Sequence, residues 1–256
     1  MTDQEQALPP EVMIAWGLDE RSRRGTRPGL SLDRITAAAI AIADADGLGA
    51  IAMGRVATAL GFTTMALYRY VESKDQLLTL MVDAAIGPAP KARSSGAAWR
   101  EGLAIWVQAL KELYMARPWI IDVPISGAPM MPNQLDWLDW ALAIMQPIRL
   151  APAEQISTAL LLSGYARGEA RVWTDVARAQ RASGRTQQEE DIYYSRVLTT
   201  LVKPDRMPAL YALVSSGLFT DTLTPELEDD AYFFGFGLER ILDGIEHYLD
   251  RRRDEH

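Results

Sequence analysis

The chain contains no cysteine. That excludes disulfides, thiolate nucleophiles and cysteine-ligated zinc. Histidine is nearly absent, with His247 and His256 both close to the C-terminus. Most imidazole-based acid–base and metal chemistry is thereby removed, and an enzyme would have to work with carboxylates, Lys, Ser or Tyr. No apolar run approaches the roughly 18 residues that a membrane span needs. The opening segment, MTDQEQALPPEVM, lacks a basic stretch followed by an apolar one. It does not read as a signal peptide, so the expected location is cytoplasmic, with no membrane partner. No paired-carboxylate constellation, Gly-rich phosphate loop or nucleophile elbow is visible. The expectation is therefore no enzyme, no cofactor and no metal.

What is present is ordinary in amount. Of 256 residues, 48 % are apolar and 23 % charged, which suits a soluble protein of one large or two modest domains. The net charge of −8 argues weakly against a nucleic-acid partner. Phosphate attraction depends on local charge, however, and residues 21–32 hold Arg21, Arg23, Arg24 and Arg27 with no acid among them.

Residues 1–30 contain Pro9, Pro10, Gly25, Pro28 and Gly29 and no sustained period, so they read as an unstructured basic arm with no core residue. Ser31 then caps a helix carrying Ile35, Ala38, Ala39 and Ile42, and Gly47 closes it. A short helical pattern runs from Gly54 to Leu60 and ends at Gly61. Another runs from Thr64 to Tyr70. Ser73-Lys74-Asp75-Gln76 reads as a capping box opening a helix with Leu77, Leu78, Met81 and Ile86 on its apolar face. Pro88 and Pro90 end that helix and mark a domain boundary, giving domains 31–87 and 91–256. Beyond it the long segments keep the helical period, with stripes such as Trp99, Leu103, Trp106, Leu110 and Leu113, or Ile156, Leu160, Ser163, Arg167 and Ala170. The fold class is all-α.

The segment from Met53 to Val71 has the anatomy of a helix-turn-helix. Val56 and Leu60 make one helix apolar on one side, Ala57 is small where a crossing helix comes close, and Gly61 permits a left-handed turn. Phe62, Leu67 and Val71 are expected to bury the second helix's inner face. Thr63, Thr64, Met65, Tyr68, Arg69 and Tyr70 then face outward, where a short helix can enter a major groove. The alternative is an ordinary helical hairpin in a core. Lys74 places a cation at a helix N-terminus, where the helix dipole disfavours it and a phosphate would relieve the cost.

At Leu67-Tyr68-Arg69-Tyr70-Val71, followed by Ser73-Lys74-Asp75-Gln76-Leu77-Leu78, the chain resembles the tetracycline-repressor family of transcriptional regulators. The resemblance covers residues 31–85. A weaker likeness spans Phe236-Gly237-Leu238-Glu239-Arg240-Ile241-Leu242-Asp243-Gly244-Ile245 and the family's final helix. It implies a homodimer and repression of a double-stranded DNA operator, released by a small ligand. It also implies that Thr63, Thr64, Met65 and Tyr70 face base edges, that Tyr68 and Lys74 hold phosphates, and that Arg55 lies near the backbone. Two positions depart from the pattern: Ala52, where a Ser or Thr usually caps, and Gly54, where a polar side chain often reaches a base.

Three further expectations concern sites. Arg21, Arg23, Arg24 and Arg27 could enter the minor groove beside the docked helix; the alternative is a solvated tail. The last helix carries Gly237 and Gly244 on one face, each costing about 1 kcal/mol against Ala, which close approach of a second helix would justify. Phe234, Gly237, Leu238, Ile241, Gly244 and Ile245 are the candidate dimer face, with packing inside one chain as the alternative. Six of the seven tryptophans lie beyond residue 90. Trp106, Tyr114, Trp119, Trp137, Trp140, Tyr165, Arg167 and Trp173 are the candidate ligand-binding residues for an apolar or aromatic effector. Any one of the aromatics could instead be plain core. Arg167 falls in register with an apolar stripe, so it is expected to point inward and to want an acidic or phenolic partner: a ligand, Glu169 or Asp175. The competing class is an all-helical binding protein or enzyme that does not bind DNA.

Overall fold

A computed structural model describes residues 8–18, 29–90, 98–125, 127–219 and 230–254. Among them are twelve α-helices and no strand. The chain divides into two compact units, residues 1–167 and 168–256.

The first unit is built around one apolar core. Helix α1 (Pro10–Ala15) starts on a proline, whose missing N–H costs nothing at a first helical position, and it buries Val12 against α5. Helix α2 (Leu32–Asp46) opens where the Ser31 side chain accepts from the Arg34 N–H at 3.2 Å. It buries Ile35, Ala39 and Ala43, each four residues from the next, and stops at Gly47 with φ of 80°. Helix α3 (Met53–Leu60) buries Met53, Val56 and Ala57 and ends at Gly61, left-handed at φ 75°, where a side chain would be strained. Helix α4 (Thr64–Leu67) is a single turn burying Leu67, with Val71 just beyond it also fully buried. Helix α5 (Lys74–Ile86) is capped by Ser73, and the Gln76 side chain accepts from the Glu72 N–H at 2.7 Å. Helix α2 packs on both α3 and α5, and α3 on α4.

Helices α6 (Trp99–Ala116), α7 (Trp119–Asp122) and α8 (Pro132–Met145) complete the first unit with the start of α9 (Pro152–Ser183). Helix α6 packs on α8, and α8 packs on α5. The second unit holds the rest of α9, then α10 (Gln187–Leu201), α11 (Pro208–Ser215) and α12 (Asp230–Asp254). Thr186 and Glu189 form a reciprocal capping box at the start of α10.

Several expectations need correction. Residues 1–30 are not wholly unstructured: α1 is helical, and Val12 belongs to the core. Helix α4 closes at Leu67, and residues 68–70 continue as turns. Phe62 is 36 % exposed, because its ring edge covers Gly29 at the lead-in to α2. On α9, Ile156 and Leu160 are exposed, so the buried face is carried by Ala159, Leu162, Ala166 and Ala170. Spacing identified that helix but set its inner side one position off. Asp83 accepts from the Gln134 N–H and the Asn133 amide, both at 3.0 Å, and ties α5 to α8.

Candidate nucleic-acid interface and effector site

Most of the expected outward groups of the helix-turn-helix are exposed. Met65 is 73 % exposed and Tyr68 43 %. Thr63, Arg69 and Lys74 are exposed and Thr64 is partly so. Arg69 and Lys74 have no ion-pair partner among the described residues. Lys74 is the first residue of α5, beside the helix's unpaired N–H groups. An anion there would gain from the cation and the helix end together.

Two of the candidate DNA contacts are modified by their surroundings. Arg55 pairs with Asp46, although both side chains are about half exposed, so the pair is weak and open to exchange for a phosphate. Tyr70 is turned inward: its hydroxyl donates to the Leu30 carbonyl at 3.0 Å and its ring packs on the core. It anchors the segment before α2, and its base-edge assignment is withdrawn on that ground. Ala52 gives α3 no side-chain cap, and a side chain added at Gly54 would stand 3.8 Å from Thr64 Oγ1. The start of α3 therefore lies against the start of α4. Arg21, Arg23, Arg24 and Arg27 lie outside the described residues.

Beyond residue 90, three of the six indole N–H groups are already used. Trp106 donates to the Trp137 carbonyl at 3.0 Å, Trp137 to the Gly87 carbonyl at 3.1 Å, and Trp119 to Asp44 at 2.6 Å. All three rings are buried. They serve as core and as ties between helices, which weakens their assignment as pocket walls. Trp140 differs. It is 1 % exposed, lies 5.5 Å from Trp137 ring to ring, and its Nε1 has no acceptor among the described residues. An unmet buried donor of this kind costs about 1–3 kcal/mol, which a ligand acceptor would recover. Tyr165 is partly buried. Trp173, in the second unit, stacks obliquely on Phe233 at 6.4 Å.

Arg167 does point inward, but to neither expected acid. Its Nη2 donates to the carbonyls of Ile121 at 2.6 Å and Val123 at 2.9 Å. Its guanidinium lies 5.9 Å from the Tyr114 ring centroid. Burial pushes the Tyr114 hydroxyl above its ordinary pKa, and Arg167 only partly offsets this. Asp175 instead pairs with Arg171 and Arg178.

On α12 the inner face is Phe234, Leu238, Leu242 and Leu249. Phe234 and Leu238 therefore pack within the chain and are not free for a partner, which corrects the expected dimer face. Ile241, Ile245 and Gly237 are partly buried, and Gly244 is open, with space around it for a side chain. Phe233, Phe236 and Tyr248 are exposed beside them.

Two features lay beyond the sequence reading. Helix α1 was hidden by a Pro-Pro pair read as a break, although proline at the first helical position before Glu-Val-Met-Ile-Ala is a start signal. The Trp16 indole donates to the Met130 carbonyl at 2.9 Å. The Asp44–Trp119–Arg117 cluster joins residues more than seventy positions apart, and no local pattern announces it.

Residues 92–249 match the family described as tetracyclin repressor-like, C-terminal domain. The chain is 35 % identical over 243 residues to the HTH-type transcriptional repressor DrrR1 of Streptomyces coeruleorubidus, covering 94 % of this chain and 87 % of that protein. Among solved structures, apo ActR from Streptomyces coelicolor matches at TM-score 0.69 and 23 % identity, over 89 % of this chain and all of that one. ActR in complex with actinorhodin matches at 0.67 and 22 %, over 87 % of this chain and 98 % of that one. These structures share the fold.

Proposed function

The chain belongs to the tetracycline-repressor family of transcriptional regulators, and from that premise we propose that it is a ligand-responsive repressor reading a palindromic operator as a homodimer. The observation that carries this reading is the outward set Thr63, Thr64, Met65, Tyr68, Arg69 and Lys74, unpartnered among the described residues and held on a buried base of Val56, Leu67 and Val71. Thr64 and Met65 read base edges, and Tyr68, Arg69 and Lys74 hold phosphates. Arg21, Arg23, Arg24 and Arg27 add minor-groove contacts beside each half-site. Residues 31–87 act as the DNA-binding domain and 91–256 as the sensor and dimerisation domain. The location is cytoplasmic; no helix among the described residues is long and apolar enough to cross a membrane.

Dimerisation is supported by exposed apolar area. Leu160, at 71 % exposure, Leu161 and Val172 line one side of α9, with open space at Gly164 and Gly168. On α12, Phe233, Phe236 and Tyr248 flank Gly244. Large apolar side chains beside small residues that no neighbour within the chain requires suit a second copy of the chain.

The effector is a flat, largely apolar molecule bound near Trp140, Tyr114 and Arg167, as the complex of ActR with actinorhodin encourages. A footprint on DNA flanking the chain's own gene, repeated with candidate ligands, tests the whole reading. Two protected half-sites related by two-fold symmetry are expected, with protection lost on adding effector. Ligand binding without any protected DNA would favour an all-helical binding protein instead.

A further inference from the structure

Arg167 is a partly buried cation with no carboxylate partner among the described residues. Its acceptors are two neutral carbonyls and the neighbouring Tyr114. Burial holds the Tyr114 phenol protonated, so it supplies no counter-anion. A positive charge placed this way is under-compensated where water is scarce.

The two carbonyls it holds belong to α7 and the residue after it. The other end of α7 is held from the opposite direction. Trp119 Nε1 donates to Asp44 at 2.6 Å, Arg117 Nε approaches Asp44 at 3.4 Å, and Arg117 Nη1 donates to the Ala85 carbonyl at 3.1 Å. Asp44 lies in the last turn of α2, the helix that supports the DNA-reading pair. A single helical turn has no cooperativity of its own, so its position depends on these bonds.

We propose that Arg167 is the hook for an acidic oxygen of the effector, and that engaging it draws the guanidinium off the Ile121 and Val123 carbonyls and loosens α7 at that end, so that its movement is passed to α2 through the bonds to Asp44. This rests on the repressor reading above and adds the effector's chemical class and the route of release. A carboxylate or phenolate displaces the neutral carbonyls because a charge-assisted hydrogen bond is roughly twice as strong as a neutral one. Neutral ligands of the same shape have no such lever, and binding that favours neither position of α7 releases nothing.

The test uses the full chain, the footprinted operator, and two probe pairs: anthracene-9-carboxylate with its methyl ester, and 1-hydroxyanthraquinone with its methyl ether. Tryptophan quenching reads affinity, and a gel shift reads release. The wild type should bind the acid of at least one pair at least ten-fold more tightly than its neutral partner. Arg167→Gln should abolish that preference and Arg167→Lys should keep part of it. In Asp44→Asn, the ratio of operator affinities without and with acid should fall toward one, since coupling is reciprocal. Equal binding of acid and neutral partner, no binding by any probe, or a preference surviving Arg167→Gln overturns the hook. A full operator response in Asp44→Asn overturns the route. If the wild type binds no operator, the repressor reading fails, while the acid preference still decides the hook.

Discussion

The DNA-reading helices and the sensor region treat their polar groups in opposite ways. Thr63, Thr64, Tyr68, Arg69 and Lys74 make no side-chain bond to another described residue. In α6–α8 polar groups are turned inward and spent on the chain itself, as the indoles of Trp106, Trp119 and Trp137 demonstrate. The first arrangement leaves bonding capacity for another molecule. The second fixes the helices relative to one another. Aromatic richness therefore does not identify a pocket; what matters is whether the polar edge of each ring has been used. By that criterion Trp140 stands apart from the three indoles around it, and Arg167 is notable for another reason, that the acceptors it holds carry no charge.

The contrast is broken most directly at Trp106. If it is a structural tie, Trp106→Ala should cost about 3–5 kcal/mol in urea unfolding, as for other large core truncations. A loss below about 1 kcal/mol, accompanied by loss of ligand quenching, would return it to the pocket wall.

The arm offers the next largest effect. Replacing Arg21, Arg23, Arg24 and Arg27 with Gln should lower the salt slope of operator binding by up to about 4 and leave unfolding unchanged. Deleting residues 1–28 should additionally destabilise the fold, because Val12 and the Trp16 bond go with them. Equal operator affinity in the Gln variant would make the arm a bystander.

Single contacts come third. Lys74→Ala should weaken binding to every sequence alike and lower the salt slope by about 1, whereas Thr64→Ala should alter preference at one position in each half-site. An unchanged slope for Lys74→Ala would show that α5 does not meet the phosphates.

The smallest effect concerns Asp83. Burial raises its carboxyl above the ordinary aspartate pKa, against the hydrogen bonds from Gln134 and Asn133 that lower it. The folded chain then holds the proton more tightly than the unfolded one. This contribution to stability is full below the ordinary aspartate range and fades as pH rises through the raised value. Thermal melting of Asp83→Asn should therefore improve relative to wild type on going from acidic to neutral pH. A difference running the other way would mean that the hydrogen bonds outweigh the burial.

Local signals carried much of the fold. Ser31, Gly47, Gly61 and Ser73 each act within one turn of the chain, and each occupies the role that its chemistry suggests, although Gln76 completes only half of the expected capping box, since its side chain accepts from the Glu72 N–H and not from that of Ser73. Which side chains of the helix-turn-helix stand outward was legible for the same reason, except at Tyr70. Nothing in a tyrosine's immediate neighbours says that a carbonyl forty residues earlier will claim its hydroxyl. The sensor was less legible because its ties are long-range. Arg167 was expected to turn inward, but its acceptors lie some 45 residues away and carry no charge pattern to read. On α9 and α12 the helical period was plain, yet the side that meets the chain and the side that is left open differ only in which neighbours arrive.

Helix α1 makes the N-terminal segment part of the folded body. Val12 belongs to the core and the Trp16 indole donates to the Met130 carbonyl, so α1 is fastened to the same core that carries the helix-turn-helix. A truncation that removes it therefore confounds lost charge with lost packing, whereas Val12→Ala keeps every arginine and isolates the packing.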